Sequence, residues 1–297
     1  MTTDRVTMSM TNRTLLANIE SAAARVAKAQ AKLSSGKELN APSDDPYAVG
    51  RALQLRSELG EVQQYQRNVS DAQGLQQAMD TTLSSVNDYV LRARDLVVQG
   101  ANGALGQSDR NAIADEIDQI TDGIKSAANA RYGDQYIFGG TKTTTAPYST
   151  SNDTYSGNSA SIHREIARGA DVNLSIDTKT VIGDSGGGII SVLRTIASDL
   201  RSGSTAALGT TDLSALDAAH DGLVGAQSRV GAVAQQLESA QSRLGQLEEV
   251  TTKQLSDVED ADMAKTFVDY STQNAGYQAA LKAGAQLIQQ SLLDFLH

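Results

Sequence analysis

The 297-residue sequence predicts a mainly α fold: long heptad helices at the two ends pair with each other, and a small domain containing a β-hairpin is inserted between them. Three patterns predict it. Near the N-terminus Leu15, Ile19, Ala22, Val26, Ala29 and Leu33 recur at heptad spacing, which holds one narrow apolar stripe on one helix face. Toward the other end Leu223, Ala226, Val230, Val233, Leu237, Ala240, Leu244 and Leu247 repeat it, and Tyr277, Leu281, Ile288 and Phe295 extend it. In the middle the spacing changes to the period-two alternation of strands. A stripe so narrow cannot bury itself and needs a partner helix, so the terminal seam residues are the candidate assembly interface.

The first helix spans about Met8 to Ser35 and stops at Gly36, a residue that tolerates the left-handed conformation found past helix ends. After a loop, Asp45 stands as N-cap with Pro46 in the first turn of a second helix, where the missing N–H costs nothing. Its seam, from Leu55 through Val62, Val69, Ala72, Met79, Leu83, Val86, Val90 and Ala93 to Val97, keeps heptad phase with Glu58 and Gln76 as polar members. At roughly 1.5 Å per residue, positions 46 to 99 would make a rod of about 80 Å. Gly100-Ala101-Asn102-Gly103 ends it, and Ser108 is read as the cap of a third helix that carries Ile113, Ile117, Ile120 and Ile124 and folds back antiparallel.

After Arg131 the helical pattern stops. Tyr136-Ile137-Phe138-Gly139-Gly140 and a Thr-rich run open the insertion. Ile162, Arg164 and Ile166 alternate, Gly169-Ala170 is the expected turn, and Val172, Leu174 and Ile176 alternate again, the pattern of a β-hairpin. Helix returns near Ile189, and residues 202 to 211 read as a Gly/Ser/Thr link. A long helix follows from about Leu213, and a further one from about Ser256, where Ser256 and Glu259 have capping-box spacing. The expected divisions are therefore 1–45, 46–135, an inserted 136–212, 213–255 and 256–297.

The net charge of -10 makes nucleic acid an improbable ligand, because phosphate binding needs clustered Lys and Arg and no such cluster occurs. Absence of Cys removes disulfides, thiolate nucleophiles and Cys-based zinc sites, leaving His163, His220 and His297 as a poor metal set. No cofactor or metal is expected. No segment reads as a membrane span or a secretory signal. Charge is uneven: residues 1–40 hold Arg5, Arg13, Arg25, Lys28, Lys32 and Lys37 against Asp4, Glu20 and Glu38, while 248–297 carry an acidic excess. Opposite signs favour pairing of the ends and select its register. Interior glycines, including Gly231, Gly245, Gly276 and Gly284, each cost about 1 kcal/mol relative to Ala, so the terminal helices are candidates for ordering on assembly, set against ordinary packing in a monomer.

Several motifs imitate active sites. Gly183-Asp184-Ser185-Gly186-Gly187 fits G-x-S-x-G, with Asp212, Asp217 and His220 downstream in hydrolase order, but the several βαβ units that hold a nucleophile elbow are missing. A Gly/Ser turn is the simpler reading. The acids Asp257, Glu259, Asp260 and Asp262 lack the Gly and terminal Glu of a calcium loop and are read as a solvated helix N-terminus. His163 is read as a surface strand residue.

The segment Leu33-Ser34-Ser35-Gly36-Lys37-Glu38-Leu39-Asn40-Ala41-Pro42-Ser43-Asp44-Asp45-Pro46 resembles the bacterial flagellin superfamily. So do Gln64-Tyr65-Gln66-Arg67-Asn68, the run from Arg92 to Gly103, the run from Tyr136 to Thr143 and the C-terminal run from Ala283 to Leu296. These similarities cover about 10–145 and 215–297 and leave the middle unmatched. The resemblance implies a flagellin-like coiled-coil rod and a non-enzymatic subunit of the extracellular flagellum, transiently cytoplasmic before export by the flagellar type III apparatus. Segments ending at Pro46 and Thr143 favour members at the hook–filament junction over flagellin proper. It further implies a hook-side junction protein, flagellin and copies of itself as partners, an export chaperone on the C-terminal helix, an uncleaved N-terminal export signal, and no membrane insertion. A secreted hydrolase using Ser185 is the remote alternative.

Overall fold

The computed structural model describes the backbone of residues 8–149 and 151–295, and side chains at 10, 13–149 and 151–286. In order, the elements are α1 (Met8–Ser35), α2 (Pro46–Gly100), α3 (Gln107–Ala128), β1 (Arg131–Tyr132), β2 (Gln135–Tyr136), β3 (His163–Ala167) and β4 (Ala170–Asn173). Then come α4 (Thr178–Val181), α5 (Gly188–Ser202), α6 (Thr205–Ala207), a π-helical turn (Leu208–Asp212), α7 (Leu213–Glu259) and α8 (Met263–Phe295). Two compact units result: residues 1–61 with 248–297, and residues 62–247.

In the first unit α1 and α8 pair antiparallel. Arg25 Nε donates to Gln273 Oε1 at 3.1 Å, and Leu15 and Ile19 lie over Gly284. Gly36 ends α1 as expected, with φ 68° and its N–H bonded to the Lys32 carbonyl at 2.9 Å. Asp45 caps α2 by accepting from the N–H groups of Tyr47 and Ala48, both at 3.0 Å. The expected helix start at Ser256 is wrong: α7 continues to Glu259, and α8 begins after Asp262, whose carboxylate accepts from Ala264 and Lys265 N–H at 3.0 and 3.1 Å. Nothing between Lys253 and Glu259 breaks a helix, so a box spacing inside it has no free N–H groups to cap. The acidic run is thus a helix C-terminus, and Glu259 is buried, not solvated.

In the second unit, α2, α3, α5 and α7 share one core that includes Met79, Leu83, Val90, Ile117, Ile124, Ile190, Leu193 and Leu223. After the turn at 101–106, α3 runs back along α2, with Glu116 paired to Arg92 and Ile113 beside Gly100. Helix α3 starts at Gln107, not at Ser108: its N-cap is Gly106, and the Gln107 amide donates to the Leu200 and Arg201 carbonyls at the end of α5, both at 2.9 Å. That contact is tertiary and has no local signal. The expected link at 202–211 is largely helical, because burying Leu208 in the core offsets the weak propensity of Gly209, Thr210 and Thr211. The hairpin of β3 and β4 lays Ile166, Val172 and Leu174 against Val69 and Ala72 of α2 and Leu237 and Ala240 of α7. Its turn falls at Arg168-Gly169, with Ala170 paired to Ala167 beyond a bulge. The short β1–β2 hairpin and α4, capped by Asp177, had no reading in the sequence.

Candidate assembly surface

The pairing of α1 with α8 is fixed by a polar clasp in the first unit. Beyond Gly36 the chain meets the segment after α7: Glu38 N–H donates to the Glu259 carbonyl at 2.8 Å, and Ala261 N–H to the Gly36 carbonyl at 3.0 Å. Lys37 Nζ stands 2.7 Å from Asp260 Oδ1 and 3.3 Å from Glu259 Oε1, and Arg56 also donates to that Oε1. Hydrogen bonding to Asp260 raises the Lys37 pKa, and the reciprocal bond lowers that of Asp260. The Asp44 carboxyl is held down to about 2, first by Lys28 at 2.8 Å and then by the N–H groups of Ala41 and Asn40. The Asp-Asp-Pro sequence thus divides its labour, Asp44 folding the loop and Asp45 starting the helix.

On α1, Ala22 is buried and Leu15, Ile19, Val26, Ala29 and Leu33 on the same face are half-buried. The α8 side facing them is polar and small: Thr266 is buried, Tyr270, Gln273 and Tyr277 are half-buried, and Gly284 lets α1 approach so closely that an added Cβ would sit 3.2 Å from Ile19 Cδ1. Leu281 lies on the outward face, 42 % exposed, and Ile288 and Phe295 fall outside the residues whose side chains are described. The outward face of α8 also carries Met263 and Phe267, the latter 61 % exposed, and α1 exposes Met10 and Leu16. Phe267 and Leu281 are two heptads apart, a signal the sequence carried but the heptad reading left unused. Tyr47, at the start of α2, is still more exposed.

In the second unit the insertion is tied down by charge. Arg194 on α5 bonds Asp153 through Nε at 2.7 Å and also bonds Asp118 and Asp122 of α3, while Lys125 bridges Asp122 and Asp153, each at 3.0 Å. The Arg194 guanidinium holds the Asp153 carboxyl down to about 2. The hydrolase-like residues are not assembled. Ser185 sits exposed in a turn in which its N–H donates to the Asp153 carbonyl. His220 bonds Asn87 at 2.8 Å, Asp217 bonds Arg94 at 2.8 Å, and Asp212 lies by Asp199. His163 is exposed and bonded to Asp171. Among the described residues no three His, Cys, Asp or Glu side chains cluster as a metal site, and no helix is long and apolar enough to cross a membrane.

Comparison with known proteins matches this architecture. Residues 6–143 match the bacterial flagellin N-terminal helical region and residues 213–296 the bacterial flagellin C-terminal helical region. The chain is 29 % identical to flagellar hook-associated protein 3 of Escherichia coli over 89 % of this chain and 90 % of that one. It is 27 % identical to a flagellin of Bacillus subtilis over 87 % and 88 %. A solved structure from Vibrio parahaemolyticus, described as a flagellar hook-associated protein, superposes with a TM-score of 0.67 at 26 % identity, covering 73 % of this chain and all of that one.

Proposed function

This chain belongs to the bacterial flagellin family, and we propose that it is a structural subunit of the flagellum, the adaptor at the hook–filament junction. The observation that carries the polymer reading is the α1–α8 pair, which leaves Met263, Phe267 and Leu281 uncovered on its outer side. Apolar side chains in that number on one helix face are suited to neighbouring subunits. The seam from Leu15 to Leu33, with Tyr277, Leu281, Ile288 and Phe295, is the proposed interface. In this reading residues 1–45 and 256–297 assemble, 46–135 and 213–255 form the helical body, and 136–212 form the outer domain.

The junction role draws on the similarity to the E. coli hook-associated protein and the Vibrio structure. Filament subunit is the second reading, favoured by nearly equal identity to the B. subtilis flagellin over a nearly equal span. The further elements are part of the same proposal: export unfolded through the flagellar type III apparatus with an uncleaved N-terminal signal, a chaperone on α8 before export, and a hook-side junction protein, flagellin and further copies as neighbours. The molecule works mechanically and turns nothing over. Ser185→Ala is expected to leave motility intact; loss of motility with normal assembly would restore the hydrolase reading.

The deciding experiment is immunogold microscopy of isolated flagella with antibody to residues 145–210. Gold confined to the hook–filament boundary is the expected result. Gold along the filament would make the chain a flagellin, and flagella without label, with the epitope accessible, would overturn both readings.

A further inference from the structure

We propose that Tyr47 of one copy seats in a cleft beside α2 of a second copy, its ring against Pro42 and Leu53 and its hydroxyl directed at Glu259. The inference rests on the reading of this chain as a polymerising subunit. The cleft, of about 320 Å³, has mainly apolar walls that include Pro42, Val49, Ala52 and Leu53, with Arg56 and Glu259 among its polar lining. Glu259 is only 4 % exposed. Its Oε1 takes both Arg56 and Lys37, whereas the buried Oε2 has no hydrogen-bond partner. A buried acceptor left unpaired is costly, so the site is short of a donor. Two cations already neutralise the carboxylate, which disfavours a third charge and favours a neutral donor carried on an apolar body. A tyrosine side chain has both parts.

This chain displays such a side chain without using it. Tyr47 is 87 % exposed, the most exposed large apolar side chain among the described residues. With 3.6 residues per turn, each step along α2 rotates about 100°, which puts Val49, Ala52, Leu53 and Arg56 about 140° to 240° around the helix from Tyr47. The cleft wall is therefore centred on the side of α2 opposite Tyr47, and Tyr47 cannot fill the cleft of its own chain. Knob and socket lie back to back on one helix. Two copies joined by one such contact leave a free knob at one end and a free socket at the other, a head-to-tail arrangement that propagates into a ring or an open helix. The sequence shows the residue types, but the orphaned oxygen and the opposition of the two faces emerge only from the packing.

The chain has no cysteine, which makes the contact directly testable. Tyr47→Cys and Leu53→Cys alter side chains that are 87 % and 57 % exposed, and circular dichroism checks that each variant keeps its helices. Both variants are expressed together in cells without the native protein, and the isolated flagella are mildly oxidised. The expected result is a disulfide-linked dimer containing one of each variant, several-fold above the dimer formed by either alone. Absence of that dimer while antibody finds both variants in the flagella overturns the inference and leaves the junction reading standing. An adduct to a different flagellar protein also overturns it, since the occupant is then not a second copy. If neither variant enters flagella while the native protein does not either, the junction reading itself falls and takes the inference with it.

Discussion

Arg194→Met removes the guanidinium that ties the inserted region to α3 and α5 while keeping an unbranched apolar stem. The structure sets the size of the effect. Arg194 holds the Asp153 carboxyl down to about 2 from an ordinary 3.8, and at 1.36 kcal/mol per unit that depression corresponds to about 2.4 kcal/mol. A third of the Arg194 side chain is exposed, so solvent screening brings the expected loss to roughly 1–2 kcal/mol. For a unit of this size that is a fall in Tm of roughly 2–8 °C. The pH dependence follows from the sign: a depressed carboxyl contributes stability that is fully present above pH 3.8 and drains away as pH falls through about 2. The deficit of the variant should thus be complete at pH 7 and shrink toward pH 2, with Lys125 retaining part of the effect on Asp153. Thermal unfolding of the full chain, followed by calorimetry at pH 7, 4 and 2.5, measures it. Equal stability at pH 7, or a deficit that does not shrink in acid, would refute the reasoning.

Asp212 is buried in the π-helical turn, and burial with the neighbouring Asp199 raises its pKa, so its ionisation as pH rises costs stability; Asp212→Asn should unfold at a higher temperature than the native chain at pH 8, with the gain smaller at pH 4. A lower Tm at pH 8 would show that the carboxylate is needed. Hydrogen exchange on the isolated protein should find α1 and α8 poorly protected beside α3 and α5, because their shared face is only half-buried; equal protection would end the idea that they order on assembly. Gly284→Leu should loosen the same pair by about 1–3 kcal/mol, since the new side chain meets Ile19 and Leu15, and faster exchange in residues 13–26 is the readout.

The amino-acid sequence by itself determined the elements whose signals are local. Gly36 stops α1, Asp45 and Pro46 start α2, and the heptads at Leu55 to Val97 and at Ile113 to Ile124 mark the buried faces, because chain stiffness and apolar period act over one or two turns. The alternation from Ile162 to Ile176 was enough to place the long hairpin, though not its bulge. Ser256 failed as a helix start because a capping box has meaning only where N–H groups are free, and α7 passes through it uninterrupted. Residues 202–211 read as a link because Gly and Thr are weak helix formers, yet burial of Leu208 overrode that preference.

The candidate surface was legible in part. The seam from Leu15 to Leu33 could be read, but which side of α8 meets it could not: Tyr277 faces α1 and Leu281 faces out, and a periodicity gives the residues of a stripe without saying what covers it. The ion cluster of Arg194 with Asp118, Asp122 and Asp153 joins residues up to 76 positions apart, and the clasp of Lys37 and Arg56 on Glu259 joins residues more than 200 apart. No local pattern encodes such pairings. They follow from which helices the buried faces bring together, and only the tertiary structure decided them.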